Sequence, residues 1–96
     1  MERNRLIEIS FCYSKTAEKF FNKHEDIRKK FKGNIERLLM GESIDIKELS
    51  GYKNVYRNRI GKYRVIYTVI NGRLTVVNVL AAGNRGDVYK HMKNSI

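Results

Sequence analysis

Val55-Tyr56-Arg57-Asn58-Arg59-Ile60-Gly61-Lys62-Tyr63-Arg64-Val65-Ile66-Tyr67 decides the fold, because it reads as two strands joined by a tight turn at Gly61. Strand side chains alternate between faces. Arg57 and Arg59 therefore project from one face of the first strand and Tyr56, Asn58 and Ile60 from the other. On the second strand Tyr63, Val65, Tyr67 and Val69 share a face, and Arg64 lies opposite with Ile66 and Ile70. Three guanidiniums on one short hairpin have no place in an ordinary core, since an unpaired buried charge is costly and no carboxylate lies nearby in sequence. They point to an anionic ligand.

Downstream of the hairpin, Asn71-Gly72 is a strong turn signal and Leu74 to Ala81 reads as a further strand. Gly83 and Gly86 are expected to loosen the chain before a short terminal helix over 87–94. Upstream, residues 42–50 read as a loop with one turn of order, ending at Leu49-Ser50-Gly51. Before it, Ala17, Phe20, Phe21, Ile27, Phe31, Ile35, Leu38 and Leu39 recur at helical spacing. Ser14 caps the start of that pattern, the polar segment 22–26 divides it into two helices, and Gly41 ends it. Leu6 to Phe11 reads as a first strand, with Cys12 as a small core residue beside it. The order β-α-α-β-β-β predicts an α+β fold: a meandering antiparallel sheet with a helical hairpin on one face and a short C-terminal helix.

The chain's 96 residues suit one domain spanning 1–96. Net charge is +10, and the excess is unevenly spread: residues 1–50 hold 11 Lys/Arg against 9 Asp/Glu, whereas residues 51–96 hold 9 against Asp87 alone. A nucleic acid, an anionic surface or an acidic protein is the expected partner class. Five of the six tyrosines share the basic half, where rings offer stacking platforms for bases, although Tyr is also simply a favoured strand residue. A lone cysteine excludes an internal disulfide and fits a reducing cytoplasm. No apolar run approaches the roughly 18 residues of a membrane span, so no membrane partner is expected.

Taken together, Leu49-Ser50-Gly51, the hairpin from Tyr56 to Tyr67, and Gly83-Asn84-Arg85-Gly86-Asp87-Val88-Tyr89 resemble the RelE/ParE superfamily of bacterial toxins from toxin–antitoxin pairs. The resemblance implies a small toxin neutralised by an antitoxin with an acidic or amphipathic segment. For the RelE-like branch it implies a ribosome-dependent endoribonuclease. That reaction is attack by a ribose 2′-hydroxyl on the adjacent phosphate, without metal or other cofactor, in messenger RNA bound in the ribosomal A site. By the same resemblance the catalytic set is Arg57, Arg59, Arg64, Arg85 and Tyr89. Arg57 and Arg59 contact substrate, Arg64 stabilises charge at the scissile phosphate, Arg85 serves the leaving group and Tyr89 stacks on the bases. Lys53, Lys62, Tyr56 and Lys90 are the further RNA-binding candidates.

This chain departs from the RelE pattern in one respect. Arg57 and Arg59 replace lysines, and a guanidinium is effectively never deprotonated in proteins, so neither is a conventional base. The histidines, His24 and His91, give no clear counterpart to the base of other relatives. Two other readings therefore stand beside the nuclease: a ParE-like inhibitor of DNA gyrase on the same scaffold, and a non-toxic RNA-binding member.

Overall fold

A computed structural model describes residues 8–42, 44, 46–71 and 74–95, with side chains through residue 90. Its elements run β1 (Ile9–Tyr13), α1 (Lys15–Lys23), α2 (Glu25–Leu39), β2 (Ile46–Glu48), β3 (Val55–Ile60), β4 (Tyr63–Ile70), β5 (Thr75–Asn84) and α3 (Arg85–Ser95). The strands form one sheet in the order β1-β5-β4-β3-β2. Strands β3 to β5 are antiparallel neighbours as expected and β2 adds an antiparallel edge to them, whereas β1 pairs parallel with β5, with Phe11 opposite Val77. A parallel neighbour requires a crossover connection, and the helical hairpin α1–α2 lies within the stretch of chain that supplies it.

The turn between β3 and β4 has Gly61 at φ 59 in its first position, the backbone a two-residue type II′ loop requires there. It sets the pairs Ile60↔Tyr63, Arg59↔Arg64, Asn58↔Val65 and Arg57↔Ile66. The expected turn at Asn71-Gly72 falls partly outside the described residues, as does Leu6 at the expected start of the first strand.

Helix α1 begins where predicted. The Ser14 hydroxyl accepts from the Ala17 amide (3.2 Å) and donates to the Leu80 carbonyl (2.8 Å), while the Ser14 amide donates to the Val79 carbonyl (2.9 Å). Leu80 sits at an irregularity in the β4–β5 register between Ile66 and Tyr67. One side chain thus caps a helix and anchors its start to the strand beneath. The break between helices falls at His24. Helix α2 closes on a Schellman motif: Gly41, at φ 90, donates to the Leu38 carbonyl (3.0 Å) and Glu42 to the Arg37 carbonyl (2.9 Å). Arg28 ties the two helices together. Its guanidinium reaches Glu18, Glu25 and Asn22, each at 3.0 Å, and lies over the rings of Tyr13 (5.0 Å) and Phe21 (5.3 Å).

The two faces of the sheet bury different cores. Against α1 and α2 pack Ala17, Phe21, Ile27, Phe31 and Ile35 with Ile60, Val65, Tyr67, Val77, Val79 and Ala82 from the strands. On the opposite face a smaller cluster of Val55, Ile66, Ala81 and Val88 is completed by Leu49, Tyr52, Leu80 and Tyr89.

Four local expectations are corrected. Residues 46–48, placed in a loop, add to the sheet edge as β2 because β3 offers them an unpaired edge. Gly83 does not loosen the chain after the last strand but lies within β5, paired opposite Arg64. Helix α3 starts at Arg85 rather than 87 because the Asn84 side chain accepts from the Asp87 amide (3.1 Å), and Gly86 falls inside it. Cys12 is exposed, since β1 turns Phe11 and Tyr13 toward the helices and its alternate residue away from them.

Candidate nucleic-acid interface

The arginines of the hairpin share the face that carries α3. The pair closing a two-residue loop is hydrogen-bonded, which makes the next pair, Arg59↔Arg64, a non-hydrogen-bonded one with Cα atoms about 4.5 Å apart. Two guanidiniums directly opposite each other repel, a cost that a bridging anion relieves. Gly83 continues the row on β5 and places no side chain beside Arg64. The next row on this face runs Lys47, Arg57, Ile66 and Ala81. Lys47 is a cation that sequence reading missed, because it lay in a segment read as loop. The alternation Ile44-Asp45-Ile46-Lys47, apolar then charged, was the available signal.

Helix α3 brings the remaining residues to this face. Arg85, its first residue, is exposed two positions beyond Gly83. Tyr89 lies four residues on, over the same helical stripe, with buried Val88 beside it. The Tyr89 ring packs against the smaller apolar cluster and remains half-exposed. Arg57 and Arg64 are half-buried and Arg59 is exposed. Among the described residues no carboxylate lies within ion-pairing distance of Arg64 or Arg85.

The lysine and tyrosine candidates are more scattered. Lys62 is exposed in the β3–β4 turn with Nζ 5.3 Å from the centre of the Tyr63 ring. Lys53 is exposed in the loop before β3, and Lys90 on α3. Tyr56 points the other way: its ring stacks on Tyr67 (5.7 Å) within the helix-side core, away from the arginine row. Asn58, fully buried on the same side, accepts through its side-chain oxygen from the side-chain NH2 of Asn34 on α2 (3.0 Å) and ties β3 to that helix. The His91 side chain lies outside those described.

The arrangement can do two things chemically. A planar guanidinium donates two parallel hydrogen bonds to phosphate oxygens, and several in one row stabilise charge that builds on phosphorus. Among the described residues no group of His, Cys, Asp and Glu is placed to hold a metal ion. No helix among them is long and apolar enough to cross a membrane.

A small α+β scaffold with a basic face is the class this fold and surface define, and comparison with known proteins narrows it. Residues 12–89 match the family described as ParE toxin of type II toxin–antitoxin systems. A Methanocaldococcus jannaschii protein named as a toxin, RelE1, is 41% identical over 68 residues, which span 66% of this chain and 73% of that protein. The crystal structure of a RelB–RelE antitoxin–toxin complex from Methanococcus jannaschii superposes with a TM-score of 0.54 at 31% identity, covering 83% of this chain and 96% of that one. The chain belongs to the RelE/ParE superfamily of type II toxin–antitoxin toxins.

Proposed function

We propose that the chain is a ribosome-dependent endoribonuclease that cuts messenger RNA in the A site, in the cytoplasm, and that an antitoxin with an acidic segment neutralises it. The observation that carries this reading is the row Arg59–Arg64–Gly83 with Arg85 just beyond it. Three arginines around a gap without a side chain suit a phosphate better than a protein core. In the reaction the ribose 2′-hydroxyl attacks the adjacent phosphorus, the bond to the 5′-oxygen breaks, and a 2′,3′-cyclic phosphate and a 5′-hydroxyl result. Arg64 and Arg57 hold the non-bridging oxygens as charge builds, Arg85 steadies the departing oxygen, and Tyr89 stacks on a base to hold the attacking hydroxyl in line. Lys47, Lys53, Lys62 and Lys90 extend the field that draws RNA in. No residue of the row takes the 2′-hydroxyl proton, because guanidiniums do not serve as bases; that proton leaves to solvent, and the 5′-oxygen takes one up from solvent as its bond to phosphorus breaks.

The match to the ParE description favours a second reading, in which the same arginines are binding groups and the target is DNA gyrase. Induced expression followed by transcript-end mapping separates the two. The nuclease reading expects translation to stop and transcripts to be cut within codons at ribosome positions. Intact transcripts with gyrase-dependent DNA breaks would replace it with the second.

A further inference from the structure

The described residues contain a basic concavity beside the end of the arginine row. It is a cleft of about 370 Å3 between α1, the end of β5 and the first turn of α3, lined by Thr16, Lys19, Lys23, His24, Gly83 and Asp87. Lys19 and Lys23 stand four apart on one stripe of α1 and are exposed. No carboxylate among the described residues pairs with either. The wall beneath them is fixed: the His24 ring stacks on Phe20 at 4.4 Å and leans on Tyr63 at 5.0 Å.

The position of this cleft matters as much as its charge. Gly83 lines it and is also the strand partner of Arg64, and Asp87 lies two residues after Arg85. The cleft therefore opens where the arginine row ends, around the tip of β5. A single polyanion held by Arg64 and Arg85 would pass around the tip of β5, beside Gly83, to reach Lys19 and Lys23 on the other side of the sheet. A compact anion would fill one site and leave the other empty.

We propose that this cleft is a second subsite for single-stranded RNA, in which Lys19 and Lys23 take a backbone phosphate flanking the nucleotide held on the arginine row. It rests on the RNA reading above and adds residues of α1 to the substrate path. The cleft volume is in the range of small-ligand sites, roughly 300–1,000 Å3. Asp87 opposes the two lysines, and its charge weakens phosphate binding at this end.

The test is fluorescence anisotropy of the full chain with a labelled ten-nucleotide single-stranded RNA, titrated across salt concentrations. Replacing both cleft lysines (Lys19→Gln with Lys23→Gln) should weaken binding and flatten the plot of log affinity against log salt by about 0.7, the contribution of the one phosphate contact on a single strand that the two lysines share. Lys29→Gln with Lys30→Gln removes the same charge from exposed positions on α2 outside the cleft and should change the slope little. Asp87→Asn should tighten binding. Cleft variants that behave like this control pair would overturn the subsite. So would loss of affinity for an acidic antitoxin peptide with RNA binding unchanged, which would make the cleft a protein-docking site. Unchanged binding by Arg64→Ala, beside weakened binding by the cleft pair, would support the subsite and reject the arginine row. A wild-type chain that binds no RNA would reject both.

Discussion

Tyr67 carries a hydroxyl into the helix-side core. It is fully buried with Phe31 at 5.4 Å and Tyr56 at 5.7 Å, and its oxygen has no hydrogen-bond partner among the described residues. A buried hydroxyl left unsatisfied costs about 1–3 kcal/mol. Tyr67→Phe should therefore raise stability, by about 1 kcal/mol, in denaturant unfolding monitored by circular dichroism; a loss of stability would mean that the hydroxyl is satisfied. Burial, and secondarily the neighbouring Tyr56, push the Tyr67 phenol well above its ordinary range. The unfolded chain then gives up this proton at about pH 10 while the folded chain keeps it, so stability should fall as pH rises past about 10. The Phe variant should show a shallower fall. At this scale the alternation of strand residues told the two faces apart, because a period of two leaves no other choice for Arg57 and Arg59. What failed was the expectation, from residue type, that Cys12 is a core residue: Phe11 and Tyr13 on either side claim the core, and the same alternation turns the thiol outward.

Elements are held in place by a few polar side chains that span long sequence separations. Ser14 caps α1 and also bonds the carbonyl of Leu80, 66 residues away. Ser14→Ala removes both contacts and should cost about 1–2 kcal/mol in unfolding free energy. Ser14→Thr should keep most of it, and an alanine variant of wild-type stability would show the clip to be idle. The helical hairpin and the β3–β4 turn were legible because their signals are local: apolar residues at helical spacing, a cap, a glycine at a positive φ. Other features were not legible. The parallel pairing of β1 with β5, and the recruitment of residues 46–48 into the sheet, depend on which edges stay open after the rest has folded. The early start of α3 had a readable sign in Asn84, which was passed over for the glycines on either side of it.

At the scale of the whole molecule the sheet divides labour between its faces. One face is sealed by α1, α2 and an aromatic core. The other carries a small apolar cluster under α3 and, beyond it, cations from β2, β3, β4 and α3. Most of this was present in the sequence as charge asymmetry, since the second half of the chain holds 9 basic residues and one acidic one. The α1 cleft was not, because Lys19 and Lys23 meet β5 only after the chain has crossed over. A surface of this kind attracts polyanions at long range, an effect that weakens with salt. It becomes an enzyme only if particular guanidiniums meet the scissile phosphate.

Cleavage of a defined messenger RNA on programmed ribosomes, wild type against Arg64→Ala, tests that requirement most directly. The account predicts cutting within the A-site codon by the wild type and a rate lower by about 100-fold or more in the variant, with melting temperature and antitoxin binding retained. An Arg64→Ala protein that cuts at the wild-type rate, or a wild type that leaves the message whole, would contradict it.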